Sequence, residues 1–318
     1  MAMKALEAVN EKVSQVIVGY SEIVEDMLTA LVAGGHVIIE GVPGIAKTTL
    51  AKTFARVTGL KFCRVQFTQD LLPADITGHY YFNYETNQFE FREGPIFTNV
   101  LLADEINRAP TKTQSALLEA MEEGQVTVEG STFPLPRPFF VIATINPIEH
   151  EGVYTLPEAQ LDRFMFKLKM GYLPREVELA MLKLKNQKYR FYEVDPLEEG
   201  FLKSLREAFL KVYADEEILR YIGDLVRATR ERDEVLYGAS PRAAEQILYA
   251  SKARAAVQGR DFVLPDDVKD VAVKALRHRL ILSVEAEMSG VTPERVIEDV
   301  LRSIPPVTGG SQKQAGRK

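Results

Sequence analysis

Three short segments of this sequence carry residues that could do chemistry together, and each closes an apolar run. Gly41-Val42-Pro43-Gly44-Ile45-Ala46-Lys47-Thr48 follows a run at 37–40, and Thr49 opens a helical pattern behind it. A loop of this composition between strand and helix offers backbone N–H groups to phosphate oxygens. Lys47 adds a point charge, and the Thr48 hydroxyl is a hard ligand for Mg2+. In the usual pattern a glycine directly precedes the lysine; here Ala46 brings a Cβ to that position. The second segment is Asn99-Val-Leu-Leu-Ala-Asp104-Glu105, an apolar strand pattern ending in adjacent carboxylates. Asp104 is expected to hold the Mg2+ shell, and Glu105 to orient and polarise the attacking water. The third is the run at 139–145, which ends in Asn146-Pro147. An amide there can hydrogen-bond both a γ-phosphate and the lytic water.

These groups converge only if their strands lie side by side. Apolar runs at 37–39, 62–67, 100–103, 139–145 and 165–170 alternate with helical patterns, which predicts an α/β domain with a five-stranded parallel sheet. Its carboxyl edge is where open α/β sheets bind ligands. Two segments break the alternation with period-two patterns around polar turns, at 79–92 and 126–135, and are expected to be hairpins inserted into the domain rather than members of its sheet. Beyond Leu173-Pro174 the pattern is helical only, over 175–188, 196–212, 215–232, 241–258 and 265–279. The expected organisation is a nucleotide-binding core at 1–172, an all-α lid at 173–304 and a disordered tail at 305–318.

Composition narrows the function. With 39 Lys+Arg against 45 Asp+Glu the net charge is −6, so nucleic-acid binding would need a local basic patch. No apolar stretch approaches the ~18 residues of a membrane span, and the N-terminal segment is amphipathic rather than signal-like. A cytoplasmic protein is expected. The lone Cys63 reads as a small core residue. The 4 histidines are scattered, and Glu149-His150-Glu151 reads as a solvated loop rather than a metal site. In the lid, Ser240-Pro241 reads as an N-cap and first helical residue, which puts Arg242 in the first turn, where the helix dipole disfavours a cation unless an anion is near.

From about Val18 to Arg279 the sequence resembles the MoxR family of AAA+ ATPases. The resemblance rests on the Gly41 to Thr48 loop, Asp70-Leu-Leu-Pro-Ala-Asp-Ile-Thr-Gly78, Leu102-Ala-Asp-Glu-Ile-Asn-Arg-Ala-Pro110, Gln114-Ser-Ala-Leu-Leu-Glu-Ala-Met121, Ala143-Thr-Ile-Asn-Pro147 and Leu156-Pro-Glu-Ala-Gln-Leu-Asp-Arg-Phe164. It implies ATP with Mg2+, a hexameric ring, and a protein client, often with a von Willebrand factor A domain partner. By the same resemblance Arg163 is the arginine finger presented to a neighbouring subunit, Asn146 is sensor 1 and Arg242 is the sensor-2 arginine. The two hairpins correspond to the helix-2 insert and the pre-sensor-1 hairpin.

The function expected first is an ATP-driven remodelling chaperone. The alternatives are a nucleotide-dependent scaffold or switch with little hydrolysis, a chelatase-type motor subunit and a DNA motor. Hairpins that grip DNA should be basic at their tips. Here the tips are Glu85-Thr-Asn-Gln88 and Glu129-Gly-Ser-Thr132. The hairpin aromatics are expected to pack, with substrate contact by Tyr81 and Tyr84 as the alternative.

Overall fold

The computed structural model describes residues 3–148, 154, 156–187 and 194–305; Glu149-His150-Glu151 and the tail from 306 onward lie outside the described residues. The chain divides into two compact units, Met1–Glu207 and Ala208–Lys318.

The first unit opens with α1 (Met3–Ser14) and α2 (Ser21–Ala33). α2 stops at Gly34, whose left-handed φ of 80° turns its N–H back onto the helix's last carbonyls. Then follow β1 (Val37–Glu40), α3 (Lys47–Val57), β2 (Phe62–Gln66), α4 (Pro73–Thr77), β3 (Gly78–Asn83), β4 (Gln88–Glu93) and β5 (Val100–Asp104). The unit continues through α5 (Thr111–Glu123), β6 (Gln125–Val128), β7 (Ser131–Pro134), β8 (Phe140–Ile145), α6 (Glu158–Leu161), β9 (Phe166–Lys169) and α7 (Arg175–Gln187).

The five-stranded sheet has the order β2-β5-β8-β1-β9 with every neighbouring pair parallel, so each run read as a strand becomes one. All residues of β5 are buried, as a strand covered on both faces requires, and this explains its unbroken apolar sequence. Gln66 lies opposite Asp104, Ala103 opposite Ala143, and Glu40 opposite Ile145. The glycine loop, Asp104-Glu105 and Asn146 therefore leave the sheet at one edge.

β3 pairs with β4 and β6 with β7, both antiparallel and both outside the main sheet. The first hairpin is rooted where two glycines meet. A Cβ on Gly78 would lie 2.3 Å from the Arg92 carbonyl oxygen, and one on Gly94 would lie 2.2 Å from that of Ile76. Above this root the Phe91 ring stacks on Phe133 of β7, with centroids 4.1 Å apart, joining the two hairpins. Toward the tip, Phe82 contacts both Tyr84 and Phe89. Tyr84 is 89% exposed and Phe89 71%. The opposite face is polar: the Glu90 carboxylate accepts from Tyr81, Asn83 and Thr86, and these bonds hold its pKa below the ordinary value.

His36, just before β1, is buried and makes its hydrogen bonds to backbone. Its Nε2–H donates to the Met121 carbonyl at 3.1 Å, and its Nδ1 accepts from the Val141 N–H at 3.0 Å. One neutral ring thus ties the end of α5 and the start of β8 to β1. Burial lowers its pKa to about 4, against a smaller upward pull from the Met121 carbonyl.

The boundary falls within α8 (Phe201–Lys211), and the second unit proceeds through α9 (Glu216–Ala228), β10 (Val235–Tyr237), α10 (Pro241–Val257), α11 (Pro265–Leu276), β11 (Ile281–Leu282), α12 (Val284–Met288) and α13 (Pro293–Ser303). The helix expected from 196 begins only at Phe201, because Gly200 takes a left-handed φ of 89° that ends any turn before it. Among its described residues the lid is helical apart from the short antiparallel pair β10–β11 and a Tyr213–Phe262 bridge. Buried Asp267 on α11 is clamped by Arg254 at 2.7 Å and by Arg260 at 2.5 Å, which fixes α10 against α11. Among the described residues no helix is long and apolar enough to cross a membrane.

The His36 pKa carries a pH signature. The unfolded ring takes a proton below about 6.5 and the folded one only below about 4, so the contribution is fully present above pH 6.5 and is lost as pH falls between those values. Over that window about 3 kcal/mol of stability should disappear. Denaturant unfolding from pH 7.5 to 4.5 should show the loss. A His36→Leu variant should be less stable at pH 7.5, with a shallower acid dependence.

Candidate active site

The loop between β1 and α3 wraps closely at one end and is open at the other. A Cβ on Gly41 would lie 2.6 Å from the Met170 carbonyl oxygen, whereas one on Gly44 would meet nothing within 4 Å. Ala46 adopts the left-handed conformation, φ 70° and ψ 28°, that a glycine would take without strain. As the N-cap of α3, Ala46 has no side-chain oxygen to satisfy the first-turn N–H groups, which leaves these donors at the positive end of the helix dipole. The Lys47 ammonium donates to the Gly41 carbonyl, so the cation folds over its own loop.

Thr48, at the start of α3, faces the end of β5, and its hydroxyl lies 3.4 Å from Asp104 Oδ2. The other carboxylate oxygen, Oδ1, accepts from the Thr144 hydroxyl at 2.6 Å. Thr144 Oγ1 accepts in turn from the Glu105 N–H at 2.8 Å. Glu105 itself is left-handed, with φ 56° and ψ 52°, a conformation that costs a non-glycine residue roughly 1–3 kcal/mol. Glu105 Oε2 accepts from Gln66 at 2.6 Å and pairs with Arg108 at 3.1 Å. From β2, Arg64 reaches Asp104 Oδ2 with Nε at 2.9 Å and Nη2 at 2.8 Å, and donates to Gln66 at 2.5 Å.

Arg64, Gln66, Thr144 and Arg108 were not among the site residues expected from sequence. The available signal was a polar pair at i and i+2 in the 62–66 strand, Arg64 and Gln66, beside the strand that bears the carboxylates.

Asn146 follows β8 and is buried, with Oδ1 accepting from the Ile148 N–H at 3.2 Å. It shares the sheet edge with the loop and the two carboxylates, since the Gly41 N–H donates to the Ile145 carbonyl at 3.2 Å. Arg163 lies away from this group in hydrogen-bond terms: its guanidinium donates to the Leu118 carbonyl at 2.7 Å and pairs with Glu122 at 3.2 Å, both on α5. Arg242 belongs to the second unit. There Ser240 is the N-cap of α10 and Pro241 its first residue, as expected, and Arg242 stands in the first turn. Arg230 and Thr229 position this helix start, through the Ala239 carbonyl at 2.8 Å and the Ala239 N–H at 3.0 Å.

The donor set fits a magnesium nucleotide. Uncapped N–H groups and a lysine suit phosphate oxygens, while a hydroxyl beside a carboxylate suits a hard divalent cation that completes its shell with phosphate and water.

Comparison with known proteins agrees with this geometry. A family model described as "ATPase family associated with various cellular activities (AAA)" matches residues 36–166, and one described as "AAA lid domain" matches 227–300. Chaperone MoxR1 of Mycobacterium tuberculosis is 45% identical over 94% of this chain and 81% of its own length. The chain belongs to the MoxR family of AAA+ ATPases. YeaC of Bacillus subtilis is 46% identical over 92% of each chain. The crystal structure of a candidate ATPase from Cytophaga hutchinsonii superposes with a TM-score of 0.87 at 42% identity, covering 96% of this chain and 95% of that one. As a MoxR-family protein this chain is an ATP-hydrolysing enzyme, and the family implies ATP and Mg2+.

For this MoxR-family loop the Ala46 conformation makes an unusual forecast. Left-handed backbone costs a residue with a Cβ about 1–2 kcal/mol, while the freer unfolded chain of glycine costs about 0.4–1 kcal/mol. Ala46→Gly should therefore leave thermal stability unchanged or raise it by up to about 1.5 kcal/mol. Ala46→Val should lower it and weaken nucleotide binding, as measured by thermal unfolding and by titration with fluorescent ADP.

Proposed function

We propose that this protein couples Mg2+-dependent ATP hydrolysis to the remodelling, maturation or activation of a client protein. The observation that carries the reading is the meeting of Thr48, Asp104 and Glu105 at the same sheet edge as Asn146, with β8 reached directly from a hairpin that stacks on a second, aromatic-tipped hairpin. The name of the M. tuberculosis relative, a chaperone, supports it.

In this reading the loop residues Gly41 to Thr49 and Lys47 hold the phosphates. Thr48 and Asp104 would hold Mg2+, which when bound neutralises phosphate charge. Glu105 takes the water's proton and orients it for in-line attack, and Asn146 reports on the γ-phosphate. Arg163 serves a neighbouring subunit's nucleotide within a hexameric ring, exchanging its Glu122 partner for phosphate charge, and Arg242 engages the nucleotide from the lid. A von Willebrand factor A domain protein is the partner proposed for the client-facing side. A single cysteine suits a reducing cytoplasm.

The exposed Tyr84 and Phe89 at the insert tip form the client-contacting surface we favour, while Tyr81 is engaged by Glu90 on the other face. Exposed Glu85 and Glu129 at the tips favour a protein client over DNA.

Lys47→Ala should weaken ATP binding roughly 10–100-fold through loss of charge-assisted hydrogen bonds. Glu105→Gln should retain binding and lose turnover by about 10²–10⁴-fold. Wild-type hydrolysis by Glu105→Gln would remove Glu105 from its role. Nucleotide-dependent partner binding, compared between an ATP analogue and ADP and set beside DNA binding at ~150 mM salt, separates the chaperone from the DNA motor.

The proposed ring makes a separate forecast. Lys47→Ala and Arg163→Ala subunits, each inactive alone, should recover part of the ATPase activity on mixing, since some sites would combine a sound loop with a sound arginine. Full activity of Arg163→Ala as a dilute monomer would end the shared-site reading.

A further inference from the structure

The oxygen of Asp104 that faces Thr48 is already paired with a positive charge. Both Nε and Nη2 of Arg64 lie within 2.9 Å of Oδ2, the same atom that lies 3.4 Å from the Thr48 hydroxyl. The other oxygen is taken by Thr144. Asp104 is held in the sheet with its side chain 10% exposed, whereas that of Arg64 is 46% exposed and is the partner free to withdraw toward water. A carboxylate this enclosed is stable only with a compensating charge beside it.

We infer that Arg64 is the resident counter-cation of Asp104 and competes with Mg2+ for that carboxylate, so that loading the metal requires Arg64 to withdraw. The inference rests on the reading of Thr48 and Asp104 as the Mg2+ ligands. A guanidinium and a divalent ion at one oxygen repel each other strongly at these separations, which makes the two occupants alternatives.

The exchange has a second consequence. Arg64 Nη2 also donates to Gln66 Oε1 at 2.5 Å, and Gln66 Nε2 donates to Glu105 Oε2 at 2.6 Å. When Arg64 leaves, Gln66 loses the contact that fixes its amide, and its hold on Glu105 loosens. Arg64 is thus a positioning residue that also bears on Glu105 through Gln66, beside the direct pairing of Arg108 with the same Glu105 oxygen.

The test is a Mg2+ titration read by binding of a fluorescent ADP analogue, in wild type, Arg64→Gln, Arg64→Lys and Asp104→Asn. Arg64→Gln should lower the Mg2+ concentration for half-maximal gain in ADP binding roughly tenfold, and Arg64→Lys, which keeps the charge, should stay within about twofold of wild type. Asp104→Asn should raise it. A need for as much Mg2+ or more in Arg64→Gln, with Asp104→Asn still impaired, overturns the competition while sparing the metal site. An Asp104→Asn variant equal to wild type overturns both readings. A measurement on the wild-type protein stands beside these in case Arg64→Gln folds poorly. The Arg64 Nε–H signal in ¹⁵N NMR, assigned by its absence in Arg64→Lys, should be protected from solvent exchange with ADP and EDTA and lose that protection with ADP and Mg2+. Equal protection in both conditions would overturn the inference.

Discussion

A carboxylate buried at the edge of a sheet must be surrounded by donors, and that requirement at Asp104 organises this site. Thr144 comes from β8, Arg64 from β2 and Thr48 from α3, so one side chain gathers groups from three elements around β5. The parallel register brings them within reach: Asp104 ends its strand opposite Gln66 and beside the Ala103–Ala143 pair. A slip of one residue in either neighbour would turn the donors to the other face of the sheet and leave the charge uncompensated. The geometry of the phosphate loop and that of the carboxylates are therefore set by the same ladder.

From this edge, mechanical continuity runs outward through few contacts. β8 carries Asn146 and is preceded by the second hairpin, and the stack of Phe133 on Phe91 extends that path to the first. His36 closes it from below by bonding Met121 near the end of α5 and Val141 on β8. A packed aromatic pair and a doubly bonded neutral imidazole fix these elements against one another: the rings are in van der Waals contact and both imidazole nitrogens are engaged.

Much of this was legible in the sequence because the relevant physics is local. Phosphate binding needs contiguous backbone donors, so Gly41 to Thr48 announces itself, and strands covered on both faces must be apolar, so each sheet strand was visible. The hairpins were visible because Tyr80, Phe82, Phe89 and Phe91 alternate about a polar turn. What was hidden depends on which strands become neighbours. Arg64 and Asp104 are 40 positions apart, and only the β2–β5 pairing makes them partners. His36 read as one of several scattered histidines for the same reason, since its partners are backbone atoms far along the chain. β10 and β11 are too short to imprint a period, and Gly200 delayed the start of a helix expected from 196.

The glycine pair at the root of the first hairpin has an evolutionary corollary. Gly78 and Gly94 meet through backbone atoms, so among the side chains above the root the attachment involves chiefly the Phe91 ring. A projection anchored in this way behaves as a cassette: provided the two glycines and the Phe91 ring that rests on Phe133 are kept, the strands and tip between them can be rewritten without disturbing the nucleotide machinery beneath. Under the proposed client contact, recognition and energy conversion can then diversify on separate schedules, one motor serving many recipients by exchange of about a dozen residues.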